Sequence, residues 1–292
     1  MKAYRSTSDL PLSRLFRGFA GKVLMNVRPD LARRVRHQPF SLDWGTLGRL
    51  VRNGYFLRAV AERDHGLLHD FLRDYWSSPR SREFFDHFGH RFETVFLEHH
   101  RAIVDEIGQA VASFEGGPAR LIEVGVGDAR VINYLMKHLE GIQTFHGIDL
   151  NATQIEENRH RFRNRAELHF HCGEAHHWLI RHPAPGTVIF TNGGVLEYFR
   201  RRDLFGLFRE LAATSSPCVV ALTETIAVDH DLDGDPDSHA YGHEFSFSHN
   251  YPDVLRNAGF KITFLRDRFT LEGEEHHPAR WLQVVAKAPS CS

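Results

Sequence analysis

The chain has 292 residues, 42% of them hydrophobic and 25% charged, with a formal net charge of −1. That length allows one large α/β domain or a domain with an appendage, and it buries a sizeable core. A charge this close to zero gives no global attraction to nucleic acid. The apolar runs are strand-sized, far short of the roughly 20 residues of a membrane-spanning helix.

The charge is unevenly placed. Residues 1–60 hold 12 Lys and Arg against three acids, Asp9, Asp30 and Asp43. Such an arm could contact an acidic partner, a second copy of the chain or a membrane surface, although a solvated arm or helix face packed on the main body is the preferred reading. It is read as part of the mature protein. Cys172, Cys218 and Cys291 show no paired spacing, which predicts a reducing, cytoplasmic setting and argues against a structural zinc site. The 21 histidines are mostly dispersed or in doublets of surface type, so few are expected to be ligands.

Residues 1–77 carry helical pieces without a strand-like rhythm. Ser78-Pro79 then reads as an N-cap followed by proline in the first turn. Phe85, Phe88, Phe92, Phe96, Ile103 and Ile107 recur at helical steps, predicting a long amphipathic helix whose aromatic stripe packs in a core. Residues 1–110 are therefore expected to form a helical N-terminal segment covering a substrate. Residues 111–292 are expected to form the catalytic domain, with an inserted lid at about 226–250. In that domain strands are predicted at 121–125, 144–149, 167–171, 187–191 and 217–223, with helices at 128–139, 152–162 and 200–212. Strand–helix alternation means a parallel sheet covered on both faces. A short helix in YPDVLRNAGF is followed by two strands joined by too short a link for a parallel return, so they are antiparallel neighbours. The predicted fold class is α/β, a Rossmann-like seven-stranded, mostly parallel sheet with an antiparallel C-terminal hairpin.

The first strand runs into Glu123-Val124-Gly125-Val126-Gly127-Asp128-Ala129-Arg130. Gly125 and Gly127 leave bare backbone where the chain turns and a ligand can approach. A dinucleotide fingerprint requires a small residue at its sixth position, where this chain has the bulky Arg130, so a nicotinamide oxidoreductase is disfavoured. The pattern acid-x-Gly-x-Gly-x-small resembles the nucleoside loop of class I S-adenosylmethionine-dependent methyltransferases, with Ala129 in place of a third glycine. The resemblance extends over about residues 110–288. It implies S-adenosyl-L-methionine as cofactor and a role for Glu123 in positioning its amino-acid part. Asp149, followed by Leu150, ends the second strand where a carboxylate can accept both ribose hydroxyls, or where Asp149 or Asn151 can cap the next helix. Gly173-Glu174-Ala175 stands where the family contacts adenine, a plain strand-to-helix turn being the other reading. Asn192 with Gly193-Gly194 ends the fourth strand, where donor and acceptor meet in small-molecule methyltransferases.

Methyl transfer needs chiefly alignment, plus a base when the acceptor is a hydroxyl. His249 is the first candidate base, because imidazole accepts protons near neutrality, followed by His243 and Glu224. The segment around His249 resembles one in bacterial small-molecule, sugar-type O-methyltransferases. Asp229, Asp231, Asp233 and Gly234 match the opening of a calcium loop, but Pro236 interrupts it and Ala240 stands at the twelfth, bidentate position. Those acids, with His239 and His243 nearby, remain open to a metal, while a solvated acidic lid is preferred and no metal is assigned. The expected partner is a small-molecule acceptor and not a nucleic acid, since no N-P-P-Y follows the fourth strand. Nitrogen acceptors, and a non-methylating binding protein or cyclase of the same fold, stay open.

Overall fold

The computed structural model of the chain describes residues 1–40, 42–78, 81, 90–113, 119–182, 186–213, 218–242, 244–272 and 277–288. Seven strands form the main sheet: β2 (Ala119–Val124), β3 (Ile142–Asp149), β4 (Leu168–Cys172), β5 (Thr187–Asn192), β6 (Cys218–Ile226), β9 (Lys261–Glu272) and β10 (His277–Lys287). Their order is β4-β3-β2-β5-β6-β10-β9. The first five are mutually parallel, and β10 runs antiparallel to both β6 and β9. This is the predicted α/β architecture. The chain order reverses between β2 and β5, so a crevice opens at their carboxyl ends, the place where such sheets bind ligands.

Alternation along the strands explains why both faces of the sheet are covered. On one face Ile122, Val124, Ile189, Val220 and Leu222 pack against α8 (Ala175–Arg181), α9 (Arg201–Ala213) and α10 (Tyr251–Asn257). On the other, Leu121, Val188, Phe190, Val219 and Ala221 meet α5 (Ile103–Ala112), α6 (Arg130–His138) and α7 (Ala152–Arg161). Each fully buried Leu, Ile or Phe contributes about 1.5–3 kcal/mol relative to exposure, which makes these two layers the main source of stability.

Preceding them are α1 (Leu12–Val27), α2 (Pro29–His37), α3 (Gly45–Glu62) and α4 (His65–Ser77). They build a third core that takes Ala240, Phe245 and Phe247 from the segment after β6. Phe56 stacks on Phe245 with centroids 4.4 Å apart, and Phe71 meets Tyr55 and Phe56 edge-on. The same segment carries β7 (His239–Tyr241) and β8 (Ser246–Ser248), which form a small antiparallel sheet with β1 (Ala3–Tyr4). Residues 1–77 thus do contain a strand, missed because two residues are too short to show a period. Asp229, read above as a calcium-loop position, accepts from the Ala3 N–H and pairs with Arg5. It ties down the start of the chain.

The predicted helix from Ser78 onward is not continuous. The Ser78 hydroxyl turns back to donate to the Tyr75 carbonyl, ending α4. Residues Phe92–His100 then follow a wider π-helical path, with the Arg101 N–H donating to the Phe96 carbonyl, before α5 begins. Phe96, Ile103 and Ile107 of the aromatic stripe are buried, whereas Phe85 and Phe88 lie outside the described residues. Among the described residues no helix is long and apolar enough to cross a membrane.

Candidate active site

A cleft of about 980 Å³, its open mouth included, lies at the carboxyl ends of β2, β3, β4 and β5. The loop after β2 forms its floor. Gly125 has φ +71° and Gly127 φ +49°, a left-handed turn that brings the chain sharply into α6. A Cβ on Gly125 would stand 2.6 Å from a Val195 methyl, so even alanine is excluded by contact as well as by backbone preference. Gly125→Ala is therefore expected to lower stability by about 1–3 kcal/mol and weaken ligand binding. A denaturant melt with and without S-adenosylhomocysteine checks both. Asn158 of α7 steadies this loop by donating to the Gly127 carbonyl.

Asp149 lies half-buried on the cleft wall. Its Oδ2 accepts from the Gly127 N–H at 3.0 Å and its Oδ1 from the Asn151 N–H at 3.0 Å. Loss of water raises its pKa, while the N–H groups of Asn151, Gly127 and Leu150 oppose that rise. The carboxylate thus holds the glycine loop from one side and keeps lone pairs for a diol on the other. The helix cap discussed above is Asn151, whose Oδ1 accepts from the Gln154 N–H. Leu150, Glu174, Ala175 and Asn192 all line the same cleft. Glu174 is paired with Arg73 of α4 at 2.6 Å.

Glu123 is 2% exposed and does not line the cleft. Burial and the negative charges of Asp128 and Asp149 push its pKa well up, opposed by the Ile132 N–H, and its Oε2 has no partner. A buried acceptor without a donor, two residues before Gly125, suits a cationic or hydrogen-bonding group reaching in from the loop.

Two of the proposed bases, Glu224 and His249, sit elsewhere than at the cleft surface. Glu224 is fully buried. Its Oε2 accepts from the Val195 and Leu196 N–H groups at 2.8 and 2.9 Å, and the Thr191 hydroxyl donates to Oε1. Burial pushes its pKa up to about 8. Neighbouring Glu197, which receives the Tyr241 hydroxyl, is raised to about 7 by burial. His249 is also fully buried, its Nδ1 on the Ser238 hydroxyl at 2.6 Å and its Nε2 on the Phe199 carbonyl at 3.0 Å. Desolvation lowers its pKa to about 3, so it is neutral, and Nε2 donates to Phe199. Glu224 and His249 therefore grip opposite ends of the segment from Asn192 to Phe199, whose Val195, Tyr198 and Phe199 line the cleft. His243 lies outside the described residues.

Two groups that the sequence did not single out act on this segment. His69 lines the cleft and sets Nδ1 on the Tyr198 carbonyl at 2.9 Å. With Arg73 and Trp76 it forms one face of α4, at helical steps of four and three, laid over the cleft. That spacing was available in the sequence, but nothing there tied the helix to the glycine loop. His100, at the end of the π-helical turn, places Nδ1 2.9 Å from Asn192 Oδ1. Its Nε2 has no partner, and neither do Trp281 Nε1 and Gln283 Oε1 nearby. The His100 and Trp281 rings are 4.3 Å apart, and Gln283 donates to the His100 carbonyl.

Among the described residues, His230, Asp235 and His239 place potential metal-ligand atoms within 4.8 Å of one another. These atoms are already interlocked, His239 Nε2 with Asp235 Oδ2 at 2.8 Å and His230 Nδ1 with the Ser248 hydroxyl at 2.7 Å.

Residues 121–217 match the family model described as a methyltransferase domain. No curated protein matches the chain. Among solved structures, the chain is similar to a magnesium protoporphyrin IX methyltransferase from Synechocystis, solved with S-adenosylmethionine bound. Identity is 14%, with 75% of this chain and 96% of that one covered at a TM-score of 0.48. It is also similar to a Leishmania major S-adenosylmethionine-dependent methyltransferase, at 14% identity, 76% and 82% coverage and a TM-score of 0.47. A third, the cyclase SpnF, gives 16% identity, 64% and 81% coverage and a TM-score of 0.48. The matched domain takes S-adenosyl-L-methionine as its cofactor. The bare glycine loop, the Asp149 carboxylate and the unpartnered Glu123 oxygen fit that molecule.

Proposed function

We propose that the chain is an enzyme that methylates a hydroxyl of a small molecule, a sugar or a secondary metabolite. The observation that carries this reading is the methyltransferase-domain match across the loops that build the cleft, from Gly125 to Asn192. The bound cofactor supplies an electrophilic methyl carbon open to in-line displacement. Asp149 grips the ribose diol, Leu150 and Ala175 flank the base, and Glu123, buried beneath the glycine loop, helps position the amino-acid end. Asn192, held by His100, borders the acceptor side.

Under this reading His69 is the proton acceptor. A hydrogen bond from Nδ1 to the Tyr198 carbonyl fixes the tautomer that leaves the Nε2 lone pair for the acceptor hydroxyl. His249 positions Phe199, and its two engaged nitrogens leave it no route to take a proton. An assay with a radiolabelled methyl donor and a panel of hydroxyl and amine acceptors tests the proposal. Label on oxygen supports it. Label on nitrogen makes the protein an N-methyltransferase, and tight S-adenosylhomocysteine binding without any labelled product supports the non-methylating alternative. His69→Ala should cut kcat about a hundredfold or more while leaving S-adenosylhomocysteine affinity unchanged. An unaltered kcat removes His69 from the base role.

A further inference from the structure

The helix α1 (Leu12–Val27) shows an apolar face that none of the described residues covers. Leu12, Phe16, Phe19, Val23 and Val27 are 73, 74, 59, 64 and 68% exposed. Their steps of four, three, four and four place them on one stripe along a helix about 24 Å long. The opposite side of α1 is pressed against α3: a Cβ on Gly21 would stand 2.1 Å from the Leu50 carbonyl and 2.6 Å from the Gly54 nitrogen. That close backbone contact turns the stripe outward and holds it rigid. Globular proteins rarely leave five large apolar side chains contiguous in water, so the face has an occupant.

Charge identifies the occupant. Residues 1–60 carry 12 of the 36 Lys and Arg but only three of the 37 Asp and Glu, although the whole chain is almost neutral. On α1, Arg17 and Lys22 flank the stripe on its two sides by helical phase, and Arg28 follows its end. α1 itself holds no acid. An apolar stripe bordered by cations along a helix lying on the surface is the form that seats in the headgroup region of an anionic bilayer, with the long cationic side chains reaching phosphate. We propose that α1 docks the protein on an anionic phospholipid membrane, the apolar stripe sinking to the acyl boundary. This is independent of the methyl-transfer reading.

The test is sedimentation of the full chain with vesicles of phosphatidylcholine alone or mixed equally with phosphatidylglycerol. Binding is expected to the mixed vesicles, to weaken as salt is raised, and to be far weaker on phosphatidylcholine. The double variant Phe16→Asp/Phe19→Asp should weaken binding at least tenfold. Its thermal melt should match the parent, since both side chains stand in solvent. Arg17→Glu/Lys22→Glu should weaken binding to the anionic vesicles alone. Absence of binding to mixed vesicles overturns the proposal. So does a concentration-dependent dimer in analytical ultracentrifugation that the aspartate variant abolishes, because a second copy then covers the stripe.

Discussion

Glu224→Ala should lower the stability of the protein by about 3 kcal/mol or more, enough to shift Tm by about 6–12 °C. The substitution strands the Val195 and Leu196 N–H groups and the Thr191 hydroxyl in a fully buried place. Glu224→Gln should stay within about 1 kcal/mol of the parent at neutral pH, because an amide oxygen accepts both N–H bonds and its NH2 faces the threonine oxygen. The pH dependence separates these effects. The folded state raises the Glu224 pKa from 4.5 to about 8 and the Glu197 pKa from 4.5 to about 7, both chiefly by desolvation. The fold binds those protons more tightly than the unfolded chain, so their stabilisation is complete below pH 4.5 and lost as pH rises to 7–8. His100 and His249 run the other way. Desolvation lowers both from 6.5 to about 3, so stability is lost as pH falls from 6.5 toward 3. Thermal melts across pH should therefore peak in mildly acidic buffer. Glu224→Gln should flatten the alkaline limb and leave the acid limb intact. An alkaline limb as steep as the parent's rules out Glu224 as its source.

The same residue shows where reading a sequence stops. The five parallel strands, the antiparallel ending and the glycine loop were legible because each leaves a local mark: an apolar run, a link too short for a crossover, a glycine pair. Which way a side chain points at a strand end leaves no such mark. Glu224 lies one residue beyond the predicted strand and within β6, where its register opposite Leu282 turns the carboxyl in beneath the loop that follows β5. His249 stands two residues ahead of α10, where Asn250 is the cap and the imidazole reaches back to Phe199. Docking between distant segments is equally silent. Helical period places His69, Arg73 and Trp76 on one face of α4, and only the third core, shared with Phe245 and Phe247, carries that face to the cleft. The wide turn ending at His100 was invisible for a related reason. Its aromatic steps are those of an ordinary helix, and the wider turn coincides with the burial of Phe96 and the seat of His100 on Asn192, contacts made far along the chain.

Asp149→Ala should weaken S-adenosylhomocysteine binding at least tenfold, about 1.4 kcal/mol, in isothermal titration. Two losses combine. The ribose hydroxyls lose a charged acceptor, and hydrogen bonds to charged groups contribute about 1.5–3 kcal/mol. The Gly127 and Asn151 N–H groups also lose their partner, which frees the glycine loop to relax before any ligand arrives. Asp149→Asn distinguishes the two. Its amide oxygen can still accept from one of those N–H groups, so the loop is held in part, but the NH2 presents a donor where a ribose hydroxyl needs an acceptor. The asparagine variant should therefore melt closer to the parent than the alanine variant does, and yet bind S-adenosylhomocysteine almost as weakly. Binding restored to parental strength by asparagine would assign Asp149 to the loop alone and leave the sugar to another residue. A ligand-induced Tm shift that survives in the alanine variant would remove the nucleoside from this wall of the cleft altogether.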